Sequence, residues 1–305
     1  MEDFPQLTWG PDLEQNCRQL VRMAIHEDLG SEGDITTLGI VSGDAWGETL
    51  VVSRVDGVLA GLPTVPVVFE EIGSSLSWEP LAQDGTPVAK GSVIGRISGP
   101  VRAILAAERI ILNFLGKLSG IATLTRRYVD EVRHTRAKIY DTRKTTPGWR
   151  LLEKYAVRCG GGRNHRLGLN AAVLIKDNHL AWLTESCRGD RLAAAKRAVT
   201  LAREFCSRLD KPVVVEIEVD DLQQLEAVLP ERPDIVLLDN MTPAMLREAV
   251  AIRNSLAPEV ELEASGGIDL SNVRTVAETG VERISVGALT HKAVWLDVGL
   301  DWVSQ

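Results

Sequence analysis

Six short apolar runs in the second half of the chain each end in residues that could do chemistry. Lys138-Ile139-Tyr140 leads into Asp141-Thr142-Arg143-Lys144, and "AAVLIK" ends at Lys176-Asp177-Asn178-His179. "VVVEIEV" carries Glu216 and Glu218, "DIVLLD" ends at Asp239-Asn240, "ELEAS" runs into Ser265-Gly266-Gly267, and "RISVG" ends at Gly287. Ahead of the second run, "CGGGRNHRLGL" adds His165 and Arg166. The endings sort by charge. The early runs give cations, which suit carboxylate or phosphate oxygens, and arginine can grip a carboxylate with two parallel hydrogen bonds. The middle runs give Glu218 and Asp239, which could hold a magnesium ion or offset a developing positive charge. The late runs give glycines, whose backbone N–H groups can approach a phosphate. Together they describe a site for a carboxylate-bearing molecule, a magnesium-bound diphosphate and a terminal phosphate.

Each feature alone has a plainer reading. "SGG" can be an ordinary turn, Glu218 a structural salt-bridge partner, and His179 a structural histidine rather than a base. The joint placement carries the argument, and it depends on the elements that hold it. From Lys138 onward the rhythm is strand, loop, helix, with helical spans such as "RLAAAKRAVTLAREFCSRL" and "PAMLREAVAIRNS" between the apolar runs. Alternating β and α segments imply a parallel sheet with covering helices, either an open doubly wound sheet or a barrel. In a barrel the carboxyl ends of the strands converge on one face.

Upstream the texture differs. Residues 11 to 28 have helical apolar spacing at Leu13, Cys17, Leu20, Val21, Ala24 and Ile25. From Trp46 to Ser98, glycine punctuation suits short strands joined by turns, which predicts a small α+β domain. A long helical stretch, "PVRAILAAERIILNFLGKLSGIATLTRRYVDEVRH", then links the two halves, with Asn113 and Gly116 marking either a break or a close contact.

Composition limits the function. The chain has 305 residues, 45% hydrophobic and 25% charged, with a net charge of −8. That balance argues against a general nucleic-acid binder. Residues 101–180 nevertheless carry sixteen Lys/Arg against six Asp/Glu, a local charge of +10 that leaves −18 elsewhere. A basic middle in an acidic chain fits a site that collects anions. Cys17, Cys159, Cys187 and Cys206 are scattered, with no CxxC spacing, so neither a zinc knuckle nor a disulfide framework is expected. No apolar run is long enough for a membrane span, and the first residues lack a signal pattern, so the expected location is cytoplasmic.

The motifs "HEDLGSEGDITT", "AERIILNFLGKLSGIAT", "DTRKTTPG", "EKYAVRCGGGRNHRLGL", "LIKDNH", "EIEVD", "LLDNM", "EASGGI" and "ISVGALTH" occur in this order over nearly the whole chain. In them the sequence closely resembles the quinolinate phosphoribosyltransferases. The resemblance implies a type II phosphoribosyltransferase fold: an incomplete (β/α) TIM-like barrel with an N-terminal α+β open-sandwich domain. The expected domains are 1–120, with residues about 290–305 packing on it, and a catalytic barrel over 121–289. The implied reaction joins quinolinate to 5-phosphoribosyl-1-pyrophosphate (PRPP) and gives nicotinate mononucleotide, carbon dioxide and pyrophosphate. It requires Mg2+ and no organic cofactor, and it serves NAD biosynthesis.

The resemblance also assigns roles. Arg143, His165, Arg166 and Lys176 would hold the quinolinate carboxylates, with Arg109 supplied across a homodimer that could assemble further. Lys144 would contact the donor and act in catalysis. Glu218 and Asp239 would face the ribose hydroxyls and the magnesium. Ser265, Gly266, Gly267, Gly287 and His291 would cradle the 5-phosphate. Lys292 departs from the family pattern after "ALTH", where a small polar residue is more usual. Two alternatives remain at this level: a same-fold pyrophosphorylase-like relative acting on another base, and a non-enzymatic binding protein on the same scaffold.

Overall fold

The structure is a computed structural model that describes residues 3–303. Along the chain come α1 (Pro11–Leu29), α2 (Ile35–Ile40), β1 (Trp46–Ser53), β2 (Gly57–Val58), α3 (Thr64–Ile72), β3 (Ser77–Pro80), β4 (Pro87–Val88) and β5 (Val93–Pro100). There follow α4 (Val101–Val132), β6 (Lys138–Tyr140), α5 (Arg150–Cys159), β7 (Val173–Ile175), α6 (Asp177–Ser186), α7 (Arg191–Cys206), β8 (Val215–Val219) and α8 (Leu222–Val228). The last are β9 (Ile235–Asp239), α9 (Pro243–Leu256), β10 (Glu261–Ser265), α10 (Val273–Ala277), β11 (Arg283–Ser285), α11 (Ala288–His291) and β12 (Val298–Trp302). They form two compact units. One comprises Leu7–Arg126, Lys144–Gly162 and the residues from Leu289 on; the other comprises the residues up to Gln6, Arg127–Arg143 and Arg163–Ala288.

The first unit holds an antiparallel sheet in the order β12-β1-β5-β3 and a small β2-β4 pair. Helix α1 starts with Pro11, whose missing N–H costs nothing at that position. It buries Leu13, Cys17, Leu20 and Val21, one stripe at helical spacing. Arg18 and Arg22 on the same helix pair with Glu71 of α3. Helix α3 lies inside the stretch whose punctuation suggested strands and turns alone. Its "TVPVVF" start is β-branched, yet Val65, Val67, Val68 and Phe69 are buried along it, and that burial overrides local propensity. Helix α4 runs unbroken through Asn113 and Gly116. Of the two alternatives for this pair, close contact is the one found at Gly116: the Leu296 amide donates to its carbonyl at 2.9 Å, and a Cβ there would sit 3.0 Å from the Leu296 oxygen.

The second unit is a six-stranded parallel sheet in the order β6-β11-β10-β9-β8-β7. This is barrel order. Each strand pairs with its neighbour in sequence, the first pairs with the last, and the ring stays open only between β6 and β7. All six strands are the apolar runs read from the sequence. Arg163 partly lines the open edge: its amide donates to the Ile139 carbonyl at 2.8 Å, and its carbonyl accepts from the Asp141 amide at 3.0 Å.

Alternation along the strands divides the sheet into two unlike faces. One is apolar and buried: Ile139, Val215, Ile217, Val219, Val236, Leu238, Leu262, Ala264 and Ile284. Helices α7 and α8 pack against its β8 portion. The other carries Glu216, Glu218, Asp239, Glu261, Glu263, Ser265, Arg283 and Ser285, level with one another through the registers Glu263↔Arg283 and Ser265↔Asp239.

Candidate active site

The carboxyl ends of β7 to β10 gather a first group of side chains. Asp239 is level with Ser265. Asn240 then turns the chain with φ 53, a left-handed conformation that asparagine tolerates. Its amide donates to the Ser265 carbonyl at 2.9 Å, and its side-chain nitrogen donates to Asp239 Oδ2 at 2.7 Å. The pair fixes the direction of the Asp239 carboxylate. Gly266 is glycine by necessity, with φ +88 and a would-be Cβ 2.9 Å from the Asn240 nitrogen. Gly267 also has positive φ but faces open space. Lys176 Nζ, just after β7, pairs with Glu218 Oε2 on β8. His179 Nδ1 accepts the Lys176 amide hydrogen at 2.8 Å, so this histidine anchors the start of α6, in line with its structural reading.

A second group is cationic. Arg143 lies exposed beyond β6, and Arg166 is 95% buried. Asp141, fully buried, holds the Arg166 loop: its Oδ1 accepts the His165 amide hydrogen at 2.8 Å and its Oδ2 accepts from Asn164 Nδ2 at 2.6 Å. Arg166 Nη1 donates to the Ala172 carbonyl at 3.2 Å, while its buried Nε has no hydrogen-bond partner among the described residues. Burial lowers the Arg166 pKa from its ordinary value and the nearby Arg143 charge lowers it further, with Glu216 partly offsetting both. A buried guanidinium with an idle donor and a like charge beside it is disfavoured until an anion arrives.

Beneath Arg166 lies a set of charges. His165 Nε2 is 3.0 Å from Glu216 Oε2 and 3.5 Å from Glu263 Oε1. Glu263 Oε2 also accepts from Arg283 Nε at 3.1 Å, and Arg283 Nη1 donates to Asp3 Oδ1 at 3.0 Å and to Glu261 Oε2 at 3.1 Å. The Arg283 guanidinium sits 3.8 Å from the Tyr140 ring centroid. Side chains from β6, β8, β10 and β11 therefore meet in one cluster, as they can only if the sheet curls. The ligand-type atoms of His165, Glu216 and Glu263 lie within 4.8 Å of one another. Arg283 already supplies a cation there, and His165 Nδ1 is occupied by the Arg166 amide hydrogen at 2.8 Å, so the grouping reads as charge balance rather than a metal centre. Sequence reading left Glu263, Arg283 and Asp3 out of the site. The available signal was the i, i+2 spacing of Glu216/Glu218 and Glu261/Glu263 in otherwise apolar strands.

Three of the remaining expected residues belong to the first unit. Arg109 is exposed on α4, Lys144 is exposed, and His291 is exposed at the end of α11. Thr290 Oγ1 donates to the Lys144 carbonyl at 2.7 Å. The loop after Lys144 is fixed by Glu153, fully buried, whose Oε1 pairs with Lys117 Nζ at 3.0 Å and whose Oε2 accepts the Thr146 amide hydrogen at 3.1 Å. Gly287 lies in the second unit, beyond β11.

Comparison with known proteins gives a consistent picture. Residues 34–119 match the family model described as quinolinate phosphoribosyl transferase, N-terminal domain, and residues 121–301 match the C-terminal domain of the same family. The nicotinate-nucleotide pyrophosphorylase [carboxylating] of Mycobacterium leprae (strain TN) is 43% identical over 287 residues, covering 93% of this chain and 96% of that protein. A probable nicotinate-nucleotide pyrophosphorylase [carboxylating] of Bacillus subtilis is 38% identical over 289 residues, 94% of each chain. Among solved structures, the nicotinate-nucleotide pyrophosphorylase from Francisella tularensis is similar with a TM-score of 0.87 at 36% identity, covering 99% of this chain and 100% of that one.

Proposed function

Because the chain belongs to the quinolinate phosphoribosyltransferase family, we propose how its residues divide that family's reaction. The enzyme transfers the phosphoribosyl group of PRPP to quinolinate with decarboxylation, giving nicotinate mononucleotide, carbon dioxide and pyrophosphate. Arg143 and Arg166, with Lys176, take the two quinolinate carboxylates, His165 stands behind Arg166, and Arg109 enters from a second protomer. The observation that carries this reading is Arg166: a buried guanidinium with a free Nε donor and Arg143 close enough to perturb it.

Lys144 contacts the pyrophosphate side of the donor. Ser265, Gly266, Gly267, Gly287 and His291 receive the 5-phosphate; the positive φ of both SGG glycines supports a tight backbone approach there. Glu218 and Asp239 face the ribose. The all-oxygen donors of Glu218 and Asp239 fit a hard cation held jointly with substrate phosphates, and Mg2+ bound there would neutralise charge on the diphosphate. Glu218 is paired with Lys176 here, so the substrate carboxylate competes for Lys176 and leaves Glu218 to act on the ribose. Positive charge growing on the ribose ring is offset by Glu218 and Asp239. The pyridine nitrogen bonds to the anomeric carbon as pyrophosphate leaves. As the 2-carboxylate departs as carbon dioxide, the electron pair of the broken C–C bond stays on C2, stabilised by the adjacent pyridinium nitrogen, and a proton from solvent is taken up at C2 to give nicotinate mononucleotide, so no Schiff-base lysine and no organic cofactor is required.

The same reading makes the protein a cytoplasmic homodimer. Support for a partner comes from large apolar side chains exposed on the first unit, including Met23, Ile35, Ile40, Trp46 and Val294. No helix among the described residues is long and apolar enough to cross a membrane. The test is a product balance: purified protein with quinolinate, PRPP and Mg2+, counting carbon dioxide and pyrophosphate, beside a parallel reaction with nicotinate. Equal release from quinolinate and none from nicotinate is expected. Turnover of nicotinate alone would reassign the base, and no turnover by folded protein would favour a binding role.

A further inference from the structure

Glu216 is a fully buried carboxylate on β8 whose Oε2 lies against the His165 ring. Burying it that way is costly unless its charge does something local. The nearest cation-forming group is His165, with Nε2 3.0 Å from Oε2. The imidazole is 95% buried and packs at a centroid distance of 4.4 Å on the Phe4 ring. Its other nitrogen, Nδ1, accepts the Arg166 amide hydrogen at 2.8 Å. Nδ1 therefore presents a lone pair, and the ring hydrogen must sit on Nε2, on the side of Glu216. The His165 amide is held separately, by Asp141.

We infer that Glu216 is a positioning residue for the transferase reaction: it holds the His165 proton on Nε2, so that Nδ1 locks the Arg166 backbone and with it the guanidinium that grips the substrate carboxylate. The order is Glu216 carboxylate, His165 ring, Arg166 amide, Arg166 guanidinium, running from the interior of the strand face toward the site. The charged groups facing His165 are Glu216 from β8, Glu263 from β10 and Arg283 from β11. Burial opposes the imidazolium, but the two carboxylates outweigh it and raise the His165 pKa. An imidazolium would place a second hydrogen on Nδ1 and lose the Arg166 amide bond; that bond therefore opposes the doubly protonated ring, while both carboxylates, on the Nε2 side, favour hydrogen there. The inference rests on the functional reading above only in its last link, the guanidinium with the carboxylate.

Two measurements separate the links. The chain has five histidines, so 15N-histidine labelling with His165→Gln for assignment reads the ring of His165 directly in the ligand-free protein. A protonated Nε2 and an unprotonated Nδ1 are expected; a proton on Nδ1 overturns the inference whatever the activity. Kinetically, Glu216→Asp keeps the charge but withdraws it by one methylene, whereas Glu216→Gln keeps an acceptor oxygen in reach. The aspartate variant is expected to raise the quinolinate KM by about tenfold or more, with the PRPP KM nearly unchanged, because a small misplacement of a gripping group is costly. The glutamine variant should recover most of that loss. Equal effects on both substrates, or none from folded Glu216→Asp, would overturn the positioning role. Wild-type protein inert toward quinolinate would sink the functional reading, and the spectrum would still decide the tautomer.

Discussion

Arg143 and Arg166 make an unequal pair, one exposed and one buried, and the inequality predicts different losses. Removing a charge-assisted hydrogen bond to a carboxylate costs about 1.5–3 kcal/mol, roughly ten- to a hundred-fold in kcat/KM. Arg143→Ala should fall near the low end, because water can replace part of its contact. Arg166→Ala should fall near the high end, because its replacement leaves a buried vacancy where an anion must bind. Steady-state kinetics with quinolinate would show the order, and near-normal turnover by either variant would remove it from the carboxylate grip. The sequence made these cations visible because Arg and Lys together at a strand end have few structural uses. It did not make Asp141, Glu263 or Arg283 visible as parts of the site's support. A buried acid or base is legible only through its partner, and these partners lie far apart in the chain, as in the Arg283 to Asp3 bond.

The parallel strands were legible as elements because each is a short apolar run closed by polar residues, a pattern with period and punctuation both present. Helix α3 was not, since its β-branched start argues locally for a strand and only the surrounding core decides otherwise. Helix α4 shows the converse, a helix with glycines that are not there for flexibility. Alanine at an interior helix glycine normally stabilises by about 1 kcal/mol. At Gly120 the sign should reverse: an added Cβ would clash with the Val294 carbonyl and lie 2.9 Å from the Trp295 Cα, both backbone atoms that cannot turn aside. Gly120→Ala is expected to destabilise by about 1–3 kcal/mol in chemical denaturation. A stabilised variant would mean that residues 294–295 can move away from α4 without loss.

At the scale of the whole molecule, the residues up to Gln6 belong to the second unit although the chain then leaves for the first. No local pattern could reveal this, because nothing in the sequence around Asp3 and Phe4 marks which distant residues they meet. Asp3 bonds Arg163 Nη1 at 2.7 Å, Arg283 Nη1 at 3.0 Å and the Tyr140 hydroxyl at 3.0 Å. Burial tends to raise its pKa, but Arg283, Arg163 and the remaining hydrogen bonds outweigh that and hold it below the ordinary 3.8. A carboxyl group with a depressed folded-state pKa stabilises fully above its unfolded value and loses that contribution as pH falls through the folded one. Asp3→Asn should therefore destabilise by about 1–3 kcal/mol at neutral pH. The gap to wild type should narrow below pH 3.8, a comparison that denaturant titrations at several pH values can make. A gap independent of pH would show that the loss is not electrostatic.

The way the strand ring closes also bears on how the chain is made. Strand β6 pairs with β11, its partner roughly 145 residues later, and β1 pairs with β12 near residue 300. A ribosome delivers the earlier member of each pair long before the later one. During that interval β6 has one parallel edge without its neighbour, and the sheet of the first unit lacks an outer strand. Long-range parallel pairing is slow, and a waiting edge is open to other chains. Arrested nascent chains should accordingly stay protease-sensitive in the second unit until β11, and in the first until β12, has left the exit tunnel, so that each unit waits for a strand made long after most of its other strands.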